Sequence, residues 1–401
     1  VDMRDGDGYQ DIAIDSSGVY TGHEDATLQL LDPTSRFDDY RYRVVVASPA
    51  CGSAVTSDYA ELTVDEVAEI ITPPEAKIIC EGQGTTFSVN AGVTTNPTYT
   101  WEVDENSGSF VPIDDTTDPA VYSGENSSVL ILSGVPSAYN GYLYRVTVGG
   151  ACPDTETSTP VTLTVNEIPE IVADPVNNTV CETDPASFTV DPGPTTDPKY
   201  QWQVNKTGAW VNLTAADEAS DEYDGVTEQT LTVEAPTITF NNYRYRVIVS
   251  GECAPSVTSE AATLTIDTRP VITEDPLTQT VCEDDNVELY VNAGTTTEPG
   301  YLWEYSTDDG ANWTVASALP EVADADEATL AIPVVPSDYT NYWFRATVSG
   351  KCAAPVLSEN AVLTVDDKPE IDIQPADANP CEGETIQFTV DAGVTTNPSY
   401  V

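Results

Sequence analysis

Cationic side chains are scarce in this 401-residue chain: 14 Lys and Arg stand against 67 Asp and Glu, a net charge of −53. Nucleic acids and anionic membrane surfaces are bound by Lys and Arg that displace counterions, so this balance argues against both as partners. Histidine is nearly missing. The single copy, His23, sits in a turn-rich stretch and recurs nowhere in register. No GxSxG, P-loop or HExxH pattern occurs, and no CxxC pair with a nearby His, so no hydrolase, nucleotide or zinc signature can be assembled. These gaps point to a protein that is not an enzyme. No run approaches the ~20 apolar residues of a membrane-spanning helix, and this segment holds no membrane insertion. No stretch carries helical periodicity. Nothing at the N-terminus resembles a signal peptide, which says little, because the chain starts in mid-repeat.

What is present is periodic. Tyr40-Arg41-Tyr42-Arg43-Val44-Val45-Val46 recurs from Tyr142, Tyr243 and Tyr342, in steps of 102, 101 and 99 residues. A Cys follows each copy (Cys51, Cys152, Cys253, Cys352), and a Trp opens an earlier strand at Trp101, Trp202 and Trp303. A period near 100 residues indicates an array of similar domains. The expected units are 1–66 (the later part of a domain), 67–166, 167–267, 268–367 and 368–401 (the opening part of another), cut from a longer array. High charge alone would suggest disorder. However, 40% hydrophobic residues in regular alternation indicate folded β domains. Thr85–Val89 and Tyr99–Val103 each alternate, so Tyr99, Trp101 and Val103 share a face. The fold class is all-β: tandem sandwiches of about 100 residues in an extended array.

An inward Trp on the third strand and a Tyr opening the sixth resemble the immunoglobulin fold with its tyrosine corner. By that likeness Trp101, Trp202 and Trp303 are core residues, and Tyr142, Tyr243 and Tyr342, with Tyr40, are corner tyrosines. The usual sandwich-bridging cysteines are replaced by Val89/Tyr144, Val190/Tyr245 and Val291/Phe344. The displaced cysteines resemble the Ig-like repeats of large secreted surface proteins and adhesins of the Bacteroidetes type.

The eight cysteines stand 29, 72, 29, 72, 29, 70 and 29 residues apart. This regularity reads as disulfides made in an oxidising, extracellular compartment. Two pairings fit. Intradomain bonds would join Cys80 to Cys152, Cys181 to Cys253 and Cys282 to Cys352, leaving Cys51 and Cys381 over. Bonds at the 29-residue spacing would use all eight and bridge successive domains. A fragment cut in mid-domain should strand two cysteines, which favours the intradomain scheme.

Calcium is the only cofactor with a candidate site. Asp5, Asp7 and Asp11 alternate as in a calcium loop, although a hairpin turn is the favoured reading of Asp-Gly there, and Asp65, Glu66, Asp366 and Asp367 crowd the linkers, where ordinary solvated acid is the favoured reading. Six of the fourteen basic residues lie on the sixth strands, as Arg41, Arg43, Arg145, Arg244, Arg246 and Arg345. Alternation turns them from the core toward acids such as Glu102 and Glu304. The position of Trp210 and Trp313 is aromatic in every repeat (Tyr9, Phe110), which a multivalent glycan- or protein-binding array would use. The Thr-x-Pro loop at Thr95, Thr196, Thr297 and Thr396 recurs strictly, for which turn geometry suffices. Together these features suggest a structural segment of a cell-surface adhesin stalk or fibre. Its partners would be the neighbouring repeats, other copies packed laterally in a filament, or a surface glycan or protein.

Overall fold

In the computed structural model, residues 1–3, 8–12 and 18–401 are described. They divide into two compact units. The first comprises Val1–Pro169 with Pro194–Asp197 and Gly251–Pro255; the second holds Glu170–Gly193, Pro198–Ser250 and Ser256–Val401.

The first unit contains one complete sandwich. Its strands are β1 (Lys77–Cys80), β2 (Thr85–Ser88), β3 (Thr98–Asp104), β4 (Val111–Pro112), β5 (Tyr122–Ser123), β6 (Val129–Leu132), β7 (Leu143–Gly149), β8 (Glu156–Thr157) and β9 (Val161–Asn166). One sheet runs β4-β3-β7-β9-β1, with β8 added to β7, and the other runs β5-β6-β2. All neighbours are antiparallel except β1 and β9, which run parallel with Cys80 opposite Asn166. Strand β7 pairs with β3 over seven residues, Arg145 opposite Glu102 and Val146 opposite Trp101. This is the immunoglobulin-like sandwich.

Alternation explains the layers. Tyr144, Val146 and Val148 of β7 are fully buried, while the residues between them are half-buried on the outer face. Trp101 is fully buried and its indole N–H donates to Ser127 O at 2.9 Å, so the ring's one polar atom is satisfied. Where an Ig bridge would join the sheets, Phe87 of β2 stacks on Tyr144 of β7 at 4.7 Å. Burying side chains of this size contributes about 1.5–3 kcal/mol each.

The second unit repeats the pattern twice. In one sandwich Asn178–Cys181, Ala262–Asp267, Arg244–Ser250, Lys199–Asn205 and Trp210–Asn212 face Ala186–Thr189, Thr230–Val233 and Tyr223–Asp224. In the other, Gln279–Cys282, Ala361–Asp366, Tyr342–Ser349, Gly300–Ser306 and Thr314–Val315 face Val287–Tyr290 and Thr329–Ile332. Trp202 and Trp303 fill their centres. Tyr142, Tyr243 and Tyr342 are half-buried, stacked or tilted on Tyr139, Phe240 and Tyr339 of the preceding 3-10 turn. The chain is thus a tandem array of all-β Ig-like sandwiches.

The disulfides follow neither expected scheme. Cys80 is bonded to Cys253 and Cys181 to Cys352, with Cα separations of 5.8 and 5.7 Å. The intradomain bonds Cys80–Cys152, Cys181–Cys253 and Cys282–Cys352 do not form, and strand direction gives the reason. Strand β1 ends with Cys80 beside the C-terminal end of β9, whereas β7 runs antiparallel to β9 and reaches Cys152 at the opposite pole. Seven residues of strand span about 23 Å, far beyond the ~7 Å that a disulfide tolerates between Cα atoms. Each bond instead joins the cysteine ending the first strand of one repeat to the cysteine following the long strand of the next. Cys51, Cys152, Cys282 and Cys381 are free thiols.

Candidate functional site

The recurring chemistry of this chain lies where one repeat passes into the next. In the second unit the last strand of one sandwich ends at Asp267, and Thr268 opens the linker. The Thr268 amide donates to Thr297 Oγ1 at 2.8 Å and the Val271 amide to Thr296 Oγ1 at 3.1 Å. The Thr296 hydroxyl in turn donates to Ala293 O at 2.5 Å. The Thr-Thr-x-Pro loop is therefore a two-hydroxyl clamp on the incoming backbone. Backbone amides with no strand partner must be satisfied somehow, and this loop does it at each junction. The backbone amides of Glu66 and Glu69 donate to Thr95 and Thr94 Oγ1, that of Glu167 to Thr196 Oγ1, and those of Asp367 and Glu370 to Thr396 and Thr395 Oγ1. The residue before each loop proline, Asn96, Asp197, Glu298 or Asn397, is held at φ between 48° and 51°. Left-handed backbone costs a non-glycine residue about 1–2 kcal/mol, a strain that the clamp offsets.

The cysteine loop closes the other side. Lys351 N donates to Thr297 O at 3.2 Å, which places Cys352 Sγ 3.6 Å from Asp267 O, within bonding reach of Cys181. Arg269, just past the linker, reaches back to the turn after Cys181. Its guanidinium donates to Glu182 O and Thr183 Oγ1 and pairs with Asp184 at 3.1 Å. Lys368 repeats the contact with Asp284 at 2.9 Å. Both pairs are about half exposed, so each contributes under ~1 kcal/mol. In the first unit Cys253 lies 3.5 Å from Asn166 O, and the free thiol of Cys152 donates to Asp65 O at 3.4 Å.

Among the described residues, no group of three or more His, Cys, Asp or Glu could hold a metal ion. Asp5 and Asp7 lie outside the described residues, and Asp11 is exposed. At the linkers, Glu66 and Asp367 donate their amides to the threonine clamp, and Asp366 stands opposite Cys282 at the end of the strand pair. In the turn that matches Asp5–Gly8, the Asp308 carboxylate accepts from Asn312 N and Nδ2 and from Ser306 Oγ. Those bonds hold its pKa below the ordinary aspartate value. His23 is exposed.

The arginines of the long strands lie over aromatic rings, and Arg145, Arg246 and Arg345 are also matched to an acid or amide. Arg145 pairs with Glu102 at 2.7 Å and lies over Phe110 at 4.1 Å. Arg345 pairs with Glu304 at 2.9 Å and lies over Trp313 at 4.0 Å. Arg246 donates to Gln203 at 2.7 Å and lies over Trp210 at 4.2 Å, while Arg43 lies over Tyr9 at 3.6 Å. The invariably aromatic position thus stacks on a guanidinium of its own repeat. Cation–π contact is a sufficient physical reason for it, and it covers the ring face a sugar would use. Sequence reasoning matched Arg with Glu but missed both the ring partner and the threonine clamp. The strict recurrence of Thr95 and its equivalents was the signal for the clamp.

No protein-family model matches the chain, and no curated protein does. Solved structures similar to it include the titin I-band fragment I67–I69, at 13% identity and TM-score 0.49 over 75% of this chain and 99% of that one. Sidekick-1 immunoglobulin domains 1–5 match at 16% identity and TM-score 0.40, over 87% and 71%. The N-terminal eight Ig domains of Down Syndrome Cell Adhesion Molecule match at 14% and 0.45, over 81% and 39%.

Proposed function

We propose that these repeats are a non-enzymatic structural segment of an extracellular or cell-surface stalk or fibre, similar to the secreted surface adhesins of Bacteroidetes. The observation that carries this reading is the pair of disulfides, Cys80–Cys253 and Cys181–Cys352, each joining one repeat to the next. A disulfide inside a repeat stabilises that repeat alone, whereas one between repeats limits how far the joint can open. Disulfides also persist in oxidising compartments, and a net charge of −53 keeps neighbouring copies apart in solution. The expected domain limits, 67–166, 167–267 and 268–367, are the rigid elements of this design.

Electron microscopy of the native assembly, still attached to its surface, tests the proposal. Separate thin rods anchored at one end are expected. Ordered lateral bundles would overturn it and make the repeats themselves the building material of a filament.

A further inference from the structure

One complete repeat carries an outer sheet face unlike that of the other two. Strand Tyr342–Ser349 alternates, so Phe344, Ala346 and Val348 are buried while Trp343, Arg345 and Thr347 lie on the outer face. Trp343 stands opposite Val362, and Thr347 opposite both Leu302 and Leu357. Leu302 and Leu357 are 45% and 56% exposed. Val315, opposite Glu304, is 41% exposed, and Trp313 lies over Arg345. In the other complete repeats the same registers put Thr100, Thr157 and Thr162, or Gln201, Thr258 and Thr263, where Leu302, Leu357 and Val362 stand. Six apolar side chains gathered on one face of a single repeat mark an interface rather than scattered surface residues. The chain's own next repeat does not cover this face. Asn212, Arg244 and Thr258 hold the corresponding places in a repeat that a complete one follows, and all three are exposed.

The face is rigid, and its charge selects the occupant. The Trp313 indole N–H donates to Gly310 O at 3.0 Å. At Gly310, φ is 82° and a Cβ would lie 3.4 Å from both Trp313 and Trp343, so the two rings crowd one turn. Fixed aromatic rings lose little freedom on binding and anchor protein contacts. Residues 268–367 hold eighteen acids and three cations, yet the centre of the face carries one of each, Arg345 and Glu304, 2.9 Å apart. A two-fold axis through that pair sets Arg345 against the partner's Glu304 and Glu304 against the partner's Arg345, so the face complements itself. The acids nearest along the chain, Asp308, Asp309 and Glu359, are exposed and lie outside the paired strands, which puts them at the rim. Four strands about 4.8 Å apart and about six residues long give a face roughly 20 Å by 20 Å. Two such faces bury an area at the low end of specific interfaces, as a reversible contact requires.

We propose that this face is the contact for a second copy of the chain, the outer sheets of two 268–367 repeats packing face to face about a two-fold axis. Pairing at one repeat joins two arrays at a single level and builds no ordered bundle, so it holds whether or not the array is a stalk. The rim acids repel one another across the contact. The pair therefore tightens as salt rises, the reverse of a contact led by ion pairs.

Sedimentation velocity tests this on the full chain with Cys51, Cys152, Cys282 and Cys381 replaced by Ser, which keeps both disulfides. A two-fold contact closes on itself, so mass should level off at two copies, with more dimer in half-molar salt than in low salt. Leu302→Glu and Leu357→Glu should each weaken the dimer more than about tenfold, with circular dichroism unchanged because both sites are exposed. Thr100→Glu and Gln201→Glu, at the matching positions of the other repeats, should change nothing. A chain that stays monomeric near millimolar concentration overturns the proposal. So does association that survives Leu302→Glu, that Thr100→Glu removes equally, or that grows past two copies. A monomer whose tryptophan emission shifts with hydroxyethyl cellulose, a shift lost in Trp343→Ala, overturns it in favour of a sugar.

Discussion

The interleaved disulfides set how far the array can be stretched, and the bond topology fixes the number. Cys80–Cys253 brings residues 80 and 253 to one point, and Cys181–Cys352 brings 181 and 352 to another. Three stretches of chain then run in parallel between those two points: 80 to 181 is 101 steps, 181 to 253 is 72, and 253 to 352 is 99. The shortest limits the extension. At ~3.5 Å per residue, 72 steps allow about 25 nm, against about 95 nm for the 272 steps from 80 to 352 in the reduced chain. Single-molecule pulling from the two ends, in a background where Cys51, Cys282 and Cys381 are Ser, should therefore gain about 70 nm of contour length on reduction. Changing Cys352→Ser leaves the 99-step route as the limit and should add only about 10 nm. Changing Cys152→Ser should add nothing, because Cys152 holds no bond. An added ~25 nm with Cys152→Ser would mean that Cys152 closes the 72-residue loop from Cys80, which would refute the topology.

Four further outcomes follow from the packing. Tyr144→Phe should cost about 1–3 kcal/mol in urea unfolding, since the buried Tyr122 hydroxyl loses its 2.9 Å partner, while Tyr122→Phe with Tyr144→Phe should come close to neutral; equal losses would contradict this. Burial pushes the Tyr223 hydroxyl up to about 12 and Tyr245 higher still, above the ordinary tyrosine value near 10. The unfolded chain then releases protons first as pH rises, so the stability of that repeat should be complete below pH ~10 and fall above it; a urea midpoint unchanged to pH 12 would refute the assignment. Arg145→Gln breaks a partly exposed ion pair and a ring contact, and should shift stability by no more than about 1–2 kcal/mol in a urea titration. Melting temperature should be the same in millimolar calcium and in excess chelator, and a rise with calcium would place an ion at the linkers or at Asp11.

The strands were legible because a half-buried strand writes its burial with a period of two. Tyr99, Trp101 and Val103 alternate in the sequence as they do in the sheet. The ion pairs were legible because cations are so rare here that Arg145 and Arg345 had only acids to meet. The disulfides were not. In an array with a period near 101, a bond within a repeat and a bond to the next repeat leave the same periodic trace. Their separations, 72 against 173, differ by one period. Spacing alone cannot choose between them; the pole at which each cysteine lies can, and that depends on β1 being parallel to β9. The ring partners of the arginines were hidden for a different reason. Cation–π pairing joins residues on separate strands, and no local pattern marks it.

That same parallel pair explains why the cysteines sit where they do. The centre of each sandwich is closed by Phe87 on Tyr144 or its equivalent, an aromatic contact worth about 0.5–1.5 kcal/mol beyond its burial. No covalent bond is needed there. At the joint that Thr268 opens, two threonine hydroxyls and one exposed ion pair hold the incoming chain, each individually weak. A bond that ends on the last residue pair of β1 and β9 ties the next repeat to the one place where the first and last strands of a sandwich meet. Tension arriving there is shared between both strands rather than peeling one from the sheet. The chain thus places its covalent bonds between successive repeats and leaves the centre of each repeat to aromatic packing.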